Sequence, residues 1–234
     1  MKYILLSVIL IVNILLFGNN DVILSNNVIQ GRLNILNGKA TECVMHDFYT
    51  KTGWIKIEGE VGRTGIDGLY YKMKNGVIRE VLVAESKWNT SRLSKSGKNK
   101  LVKQMSQEWV IRSLNKLQKY KPLPKYKTIK YLVENGQYRA RLFKIKPIGK
   151  DSIKIFIYKI KNKGNKSFET FIENELKPII LHKPKNSFEQ RVIRAYNSCR
   201  RKSLHYYFPM LESEDIDKLL LDNYLQKKDI KVYL

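Results

Sequence analysis

Cysteine is nearly absent from this chain: Cys43 and Cys199 are the whole complement. That excludes a disulfide-dense scaffold and allows at most one internal bridge. Two buried, unpaired thiols are the simpler expectation, and a Cys43–Cys199 bridge would instead tether the C-terminal segment to the helix that carries Glu42. Histidine is as scarce, and His46, His182 and His205 show no ligand spacing, which argues against a zinc site. No internal repeat or long low-complexity tract is present, so a repeat array is excluded. The one long apolar run, Tyr3 to Phe17, falls short of the about 20 residues of a comfortable membrane span but suits the core of a signal peptide. Export is therefore expected, to the periplasm or beyond. Leu16 stands two positions before Gly18 and spoils a small-x-small cleavage site, so residues 1–18 read as a signal peptide or, alternatively, as an uncleaved N-terminal anchor using residues 3–17 for membrane attachment.

Acidic residues are the remaining shortage. There are 21 Asp and Glu against 44 Lys and Arg, a formal net charge of +23 over 234 residues. An excess of that size marks a polyanionic partner; the alternative source is an AT-rich coding bias, which raises lysine throughout a chain. Basic and aromatic residues interleave in the segment 119–131, and bases crowd 191–202, in patterns that can neutralise phosphates and stack bases. The helix around 191–202 reads first as a packing helix with a solvated basic face.

Against this background the few acids stand out. The stretch from Arg63 to Lys87 reads as a hairpin with Asp67 on its first strand and Glu85-Ser86-Lys87 closing its second. An acid two before a lysine recurs at Glu175-Leu176-Lys177 and Asp229-Ile230-Lys231. Only Glu85, however, ends an apolar run, Val81 to Ala84, of the kind that forms a buried central strand. A charged pair there is costly unless it serves a purpose. Alternation puts Glu85 and Lys87 on one face and Ser86 on the other. Two carboxylates can hold Mg²⁺, or Mn²⁺ in its place, with the Ser86 carbonyl as a further ligand. The ion would polarise a phosphodiester and acidify water, while Lys87 orients the attacking water and offsets developing charge. For Asp67 and Glu85 to share a face, the turn must be a three-residue loop, Lys74-Asn75-Gly76, with Gly76 left-handed as a bulge and Asp67 opposite Val83. A plain Asn75-Gly76 loop would set the two acids on opposite faces.

In order, Glu42 on a helix, Gly65-Ile66-Asp67-Gly68, Glu85-Ser86-Lys87, then Gln104-Met105-Ser106 with Trp109 resemble the PD-(D/E)XK nuclease superfamily, in particular the restriction-endonuclease-like branch seen in bacterial secreted toxins. The resemblance covers roughly residues 35 to 160. It implies Mg²⁺-dependent nucleic-acid cleavage with Glu42, Asp67 and Glu85 near the metal, Lys87 catalytic, and Gln104 near the substrate or that lysine. Glu58 and Glu60 are rivals of Glu42, Gln104 reads equally as a surface residue, and Trp109 reads first as a core residue of its helix.

The expected fold is α/β: a central mixed β-sheet flanked by helices, restriction-endonuclease-like, over residues 19–163, then a helical C-terminal extension over 164–234. Within it we expect a polar lead-in over 19–38, the Glu42 helix over about 39–49, a strand near 53–59, the hairpin, and a polar loop 89–99. A helix over about 100–120, stopped by Pro122 and Pro124, follows. Strands at 137–145 and 152–160 and helices at 168–176, 187–201 and 213–225 complete the chain. Arg63, Arg92, Lys95, Lys98 and Lys103 are the expected nucleic-acid contacts. The expected activity is an exported, Mg²⁺-dependent endonuclease, stand-alone rather than the tail of a larger toxin, acting on DNA ahead of RNA. An inhibitor protein is a further candidate partner, and no residue pattern marks an oligomer interface. The alternatives are a non-catalytic extracytoplasmic DNA-binding protein on a nuclease-like fold, and a basic envelope protein with an accidental triplet.

Overall fold

The computed structural model describes residues 26–61, 64–96, 101–149 and 152–207. The leader segment, Arg63, Lys98, the Asp229 triplet and the helix expected at 213–225 lie outside them. No helix among the described residues is long and apolar enough to cross a membrane.

Helix α1, Asn26–Lys51, starts well before the expected 39 and takes in much of the segment read as a polar lead-in. Its stripe of Leu33, Leu36, Ala40, Val44 and Tyr49, spaced by three to five residues, is buried, so one face drives its packing despite weak overall amphipathicity. Gly53, with φ of 84°, turns the chain into strand β1, Ile55–Ile57. Short strands β2, Glu60–Val61, and β3, Thr64–Gly65, pair with each other. Here backbone crosses backbone closely. Gly65 has φ of 150°, and a Cβ on it would sit 2.4 Å from the Gly59 carbonyl oxygen. Glycine is therefore required where the chain approaches Asp67.

The hairpin follows, β4, Gly68–Lys74, and β5, Val77–Trp88, and it corrects the expected turn. The loop is the two-residue Asn75-Gly76, with φ of 51° and 75°, closing a Lys74–Val77 pair. Left-handed Asn-Gly loops match the strand twist, which is why the longer loop does not form. The extra residue appears three positions on: Met73 pairs with Ile78 but Lys72 with Glu80, so Arg79 is bulged. The bulge restores the parity that the short turn would have lost. Gly68 pairs with Ala84, and Asp67, in the bend just before it, does not pair with Val83 but reaches Ser86 at the end of β5.

Strands β6, Lys95–Ser96, and β7, Val102–Lys103, form a small ribbon. Helix α2 runs over Gln107–Tyr120, capped by the Ser106 hydroxyl, which accepts from the Trp109 amide. It thus begins seven residues later than expected, and Leu101, read as one of its core positions, is 66% exposed. Helix α3, Pro124–Glu134, uses Pro124 at its first turn, so the basic-aromatic segment 119–131 is largely helical, with Tyr126 buried. Strands β8, Arg139–Ile148, and β9, Ser152–Lys163, form as expected.

The segment 168–176, read as a helix, is instead strand β10, Lys166–Glu175, antiparallel to β9. Its β-branched and aromatic residues suit a strand, and Gly164-Asn165 is a two-residue hairpin loop, a signal present in the sequence. A two-residue strand β11, Ile179–Ile180, and helix α4, Ser187–Tyr207, complete the described chain. Residues from 164 onward therefore contribute strands to the same sheet as the hairpin.

The result is an α/β protein with a mixed, mostly antiparallel central sheet in the order β1-β4-β5-β8-β9-β10, with β11 also on β9. Only β5 and β8 run parallel. Helices α2 and α3 cover one face over Val81, Val83, Ala140 and Leu142. Helices α1 and α4 cover the other over Tyr70, Leu82, Phe143 and Ile155. Cys43 on α1 and Cys199 on α4 form a disulfide with Cα atoms 6.3 Å apart, which corrects the expectation of two free thiols. The basic helix α4 is a packing helix: Val192, Tyr196 and Arg200 are buried, and Arg191 pairs with Asp47 on α1.

Candidate active site

Glu85 sits on the central strand between two covering layers and is 1% exposed. Its Oε1 accepts from Lys87 Nζ at 2.7 Å and from Gln104 Nε2. Its Oε2 is fully buried and has no hydrogen-bond partner. Burial first, and then the negative charge of Asp67, push the Glu85 carboxyl well above the usual range, against the pull of Lys87. Asp67 lies in the bend just before β4. Its Oδ2 accepts from the Ser86 amide at 2.9 Å and from the Ser86 hydroxyl at 2.7 Å. Ser86, expected to offer its carbonyl to a metal, thus also anchors Asp67.

An isolated buried carboxylate oxygen facing a second carboxylate is expensive unless a proton or a cation joins the pair. The donors are hard oxygens, which suit Mg²⁺ or Mn²⁺ rather than a soft metal. By that measure Asp67 and Glu85 fit the expected ion. Among the described residues no group of three or more His, Cys, Asp or Glu is placed to hold a metal, so these residues offer two carboxylates here and not three.

Gln104 is fixed from several sides. Its side-chain oxygen accepts from the Ser94 amide at 3.1 Å and the Ser94 hydroxyl at 3.3 Å, which leaves its amide nitrogen to face Glu85. Its backbone amide donates to the Ser94 carbonyl, and its carbonyl accepts from Ser167 of β10. Gln104 lies in the turn ahead of α2, where Met105 has φ of 66°, and not on the helix itself. The β9–β10 loop supports this turn, since the Gly164 and Asn165 carbonyls accept from Glu108 and Lys103. The strand misread as helix is therefore part of what positions Gln104.

Glu42 is not drawn into the carboxylate pair. It bonds Lys39 at 2.8 Å and approaches His46 at 3.4 Å. His46 in turn meets the Tyr70 hydroxyl and Lys56. Burial alone would raise the Glu42 carboxyl, but the hydrogen bonds and charges of His46 and Lys39 outweigh it and hold it at about 2. Its field still reaches the site: burial, then Glu42 and to a lesser degree Asp67, hold the carboxyl of Glu60 above the usual range. Because the folded value of Glu42 lies below the ordinary 4.5, its contribution is complete above that pH and is lost as pH falls through about 2. We expect Glu42→Gln to cost about 1–3 kcal/mol at pH 6 and almost nothing at pH 2. Urea unfolding at the two pH values measures this, and an equal cost at both would show that the loss is packing, not charge.

A cleft of ≈ 480 Å³ opens beside Asp67 and Gln104. Glu60 and Gly65 line one side, and Trp109, Arg112 and Lys116, on one face of α2, line the other. Trp109 is both core and wall, packing in part against the α2 face of the core. Arg112 and Lys116 were not among the expected contacts, although their spacing from Trp109 would have aligned them on a helix. Of the expected ones, Arg92 and Lys95 are exposed, and Lys95 pairs across the β6–β7 ribbon with Lys103. The Glu175 triplet is elsewhere, with Glu175 paired to Lys154. Lys144, missed entirely, stands next to Lys87 in the parallel β5–β8 register. Burial holds its ammonium below the usual range, with Glu169 opposing and Lys146, Arg92 and Lys87 adding to the depression. No sequence signal reveals it, because only the strand pairing makes the two lysines neighbours.

No family model matches this chain, and no curated protein or solved structure matches it either.

Proposed function

We propose that this protein is a metal-dependent nuclease of the PD-(D/E)XK type, cleaving phosphodiester bonds of DNA ahead of RNA. The observation that carries the reading is the unpartnered, buried Oε2 of Glu85 beside Asp67, with Lys87 and Gln104 on the other oxygen. Asp67 and Glu85 would hold Mg²⁺ or Mn²⁺, with the Ser86 carbonyl available beside them. Such an ion supplies charge neutralisation at a phosphoryl oxygen and a more acidic water at neutral pH.

The remaining chemistry falls to the chain. Lys87 is held by Glu85 through one hydrogen and keeps two donors for the attacking water or a phosphate oxygen; its side chain is 16% exposed, so its tip reaches the surface. Gln104, locked by Ser94 and Ser167, keeps Glu85 from rotating. Ser86 does the same for Asp67. Lys116, and Arg112 beside its ion-pair partner Glu108, offer cations along the cleft, where phosphates add favourably and in a salt-dependent way. The apolar leader supports export, and the Cys43–Cys199 bridge suits an oxidising compartment.

The test is plasmid nicking by the full chain in mild detergent, with Mg²⁺ or with EDTA, beside Lys87→Ala. Cleavage should require Mg²⁺ and fall by about a hundredfold or more in the variant, with DNA affinity within about twofold of wild type because a single exposed phosphate contact is lost at most. A protein that binds plasmid and never cuts DNA or RNA with Mg²⁺ or Mn²⁺ would instead be a non-catalytic DNA-binding protein.

A further inference from the structure

Beyond Lys87 the sheet carries a second set of residues that the cores explain only in part, since Tyr158 packs partly buried against the α2–α3 core and Phe156 against neither. The register aligns two rows across its strands. One reads Glu85, Leu142, Tyr158 and Ile172, and the other Lys87, Lys144, Phe156 and Glu175. Directly paired residues share a face of the sheet, so the two proposed active-site side chains head rows that continue outward over β8, β9 and β10. Helices α2 and α3 cover this face around Ala140, Leu142 and Ile160. Phe156 belongs to neither core cluster. It is partly exposed, and so is Tyr158. Their rings lie nearly parallel, with centroids 6.1 Å apart and planes inclined by 26°.

Lysines surround the pair. Lys144 Nζ sits 5.7 Å from the centre of the Tyr158 ring, and Lys146 and Lys154 sit 5.1 and 5.3 Å from that of Phe156. Glu175 pairs with Lys154 and offsets part of the charge, while Lys146 directly faces Lys154 across the strands. Flexible lysine stems can swing from a ring to a phosphate, which leaves the ring face to a base.

We propose that this surface is a stacking platform for single-stranded nucleic acid, in which Phe156 and Tyr158 receive bases, Lys146 and Lys154 receive phosphates, and Lys144, only 7% exposed, adds positive charge between them and Lys87. A duplex hides its base faces, and only an unpaired strand presents them to rings lying on a sheet. The platform adjoins Lys87 through Lys144, so a strand lying on it continues toward Asp67 and Glu85. For that consequence the inference rests on the nuclease reading: the preferred substrate is a single strand, a flap or a frayed end.

The test is fluorescence anisotropy with the full chain in EDTA, where no cleavage intervenes, using labelled single-stranded DNA, single-stranded RNA and duplex DNA of equal length. Phe156→Leu with Tyr158→Leu keeps apolar volume and removes stacking. The double variant should lose about tenfold or more in affinity for one or both single strands and change less than about twofold on duplex. The tighter single strand names the natural ligand. Phe156→Tyr with Tyr158→Phe should bind as wild type does, and thermal midpoints near wild type would exclude a folding defect. Unchanged single-strand binding, or equal losses on single strand and duplex, overturns the platform. If wild type nicks plasmid while the leucine variant binds single strands normally, the platform fails and the nuclease stands. If wild type never cuts and the variant still loses single-strand binding, the platform stands without the nuclease.

Discussion

Glu85→Gln is expected to melt higher than wild type in EDTA and to cut no DNA in Mg²⁺. Wild-type Glu85 is 1% exposed with one oxygen unpartnered. Glutamine's carbonyl oxygen can still accept from Lys87 and Gln104, and its amide group replaces the orphaned oxygen with a donor facing Asp67. Removing an unsatisfied buried polar atom gains about 1–3 kcal/mol, and each kcal/mol raises the melting temperature by about 2–4 °C at this size. The sign follows from the raised carboxyl of Glu85. Below its ordinary value of 4.5 it is protonated whether folded or not, and the two proteins should differ little. As pH rises above that value, the unfolded chain ionises first and wild type loses stability relative to the variant. Scanning calorimetry at pH 4 and pH 7 measures the gap. Mg²⁺ should then raise the midpoint of wild type alone, since a cation that binds the folded state stabilises it by mass action. The assignment of Glu85 fails if the variant melts lower at pH 7, or if Mg²⁺ stabilises both proteins alike.

Removing the disulfide should cost the most stability. The Cys43–Cys199 bridge closes a sequence separation of 156 residues, and native bridges are worth about 2–5 kcal/mol, chiefly by restricting the unfolded chain. It also ties α4 to α1 where Val192 and Tyr196 pack against Ala40 and Val44. We expect the Cys43→Ala, Cys199→Ala double variant to unfold in urea about 2–5 kcal/mol more easily. Its cleavage at 25 °C should match wild type, because Asp67 and Glu85 are held by β4 and β5 rather than by α4. A loss under about 0.5 kcal/mol, within the usual range of surface substitutions, would mean that helix packing alone secures this layer.

The parts of the fold that were legible are those in which a local pattern has one physical solution. Val81 to Ala84 could only be a buried strand, and Pro122 could only end α2. The misreadings arise where local signals conflict. Phe168 to Leu176 mixes acids with aromatics in a way that also suits a helix, although the Gly164-Asn165 loop makes this stretch the hairpin partner of β9. The Asn75-Gly76 turn was legible, but the bulge at Arg79 was not, since a bulge depends on how two whole strands settle against each other. Glu42 stands in the expected order yet bonds Lys39 and His46, because a helix residue's partners are set by its rotation against the sheet.

The amino-acid sequence by itself determined the basic character of the surface, the buried central strand, and the placing of Glu85 and Lys87 on one face of it. These follow from composition and from side-chain alternation, which act over a few residues. Only the tertiary structure decided that Asp67 faces Glu85, that one carboxylate oxygen is left without a donor, that Cys43 meets Cys199, and that Lys144 and Phe156 extend the row from Lys87 while Tyr158 extends that from Glu85. Those depend on pairings between segments far apart in the chain, and the register that joins such segments is set by the packing of all the layers together.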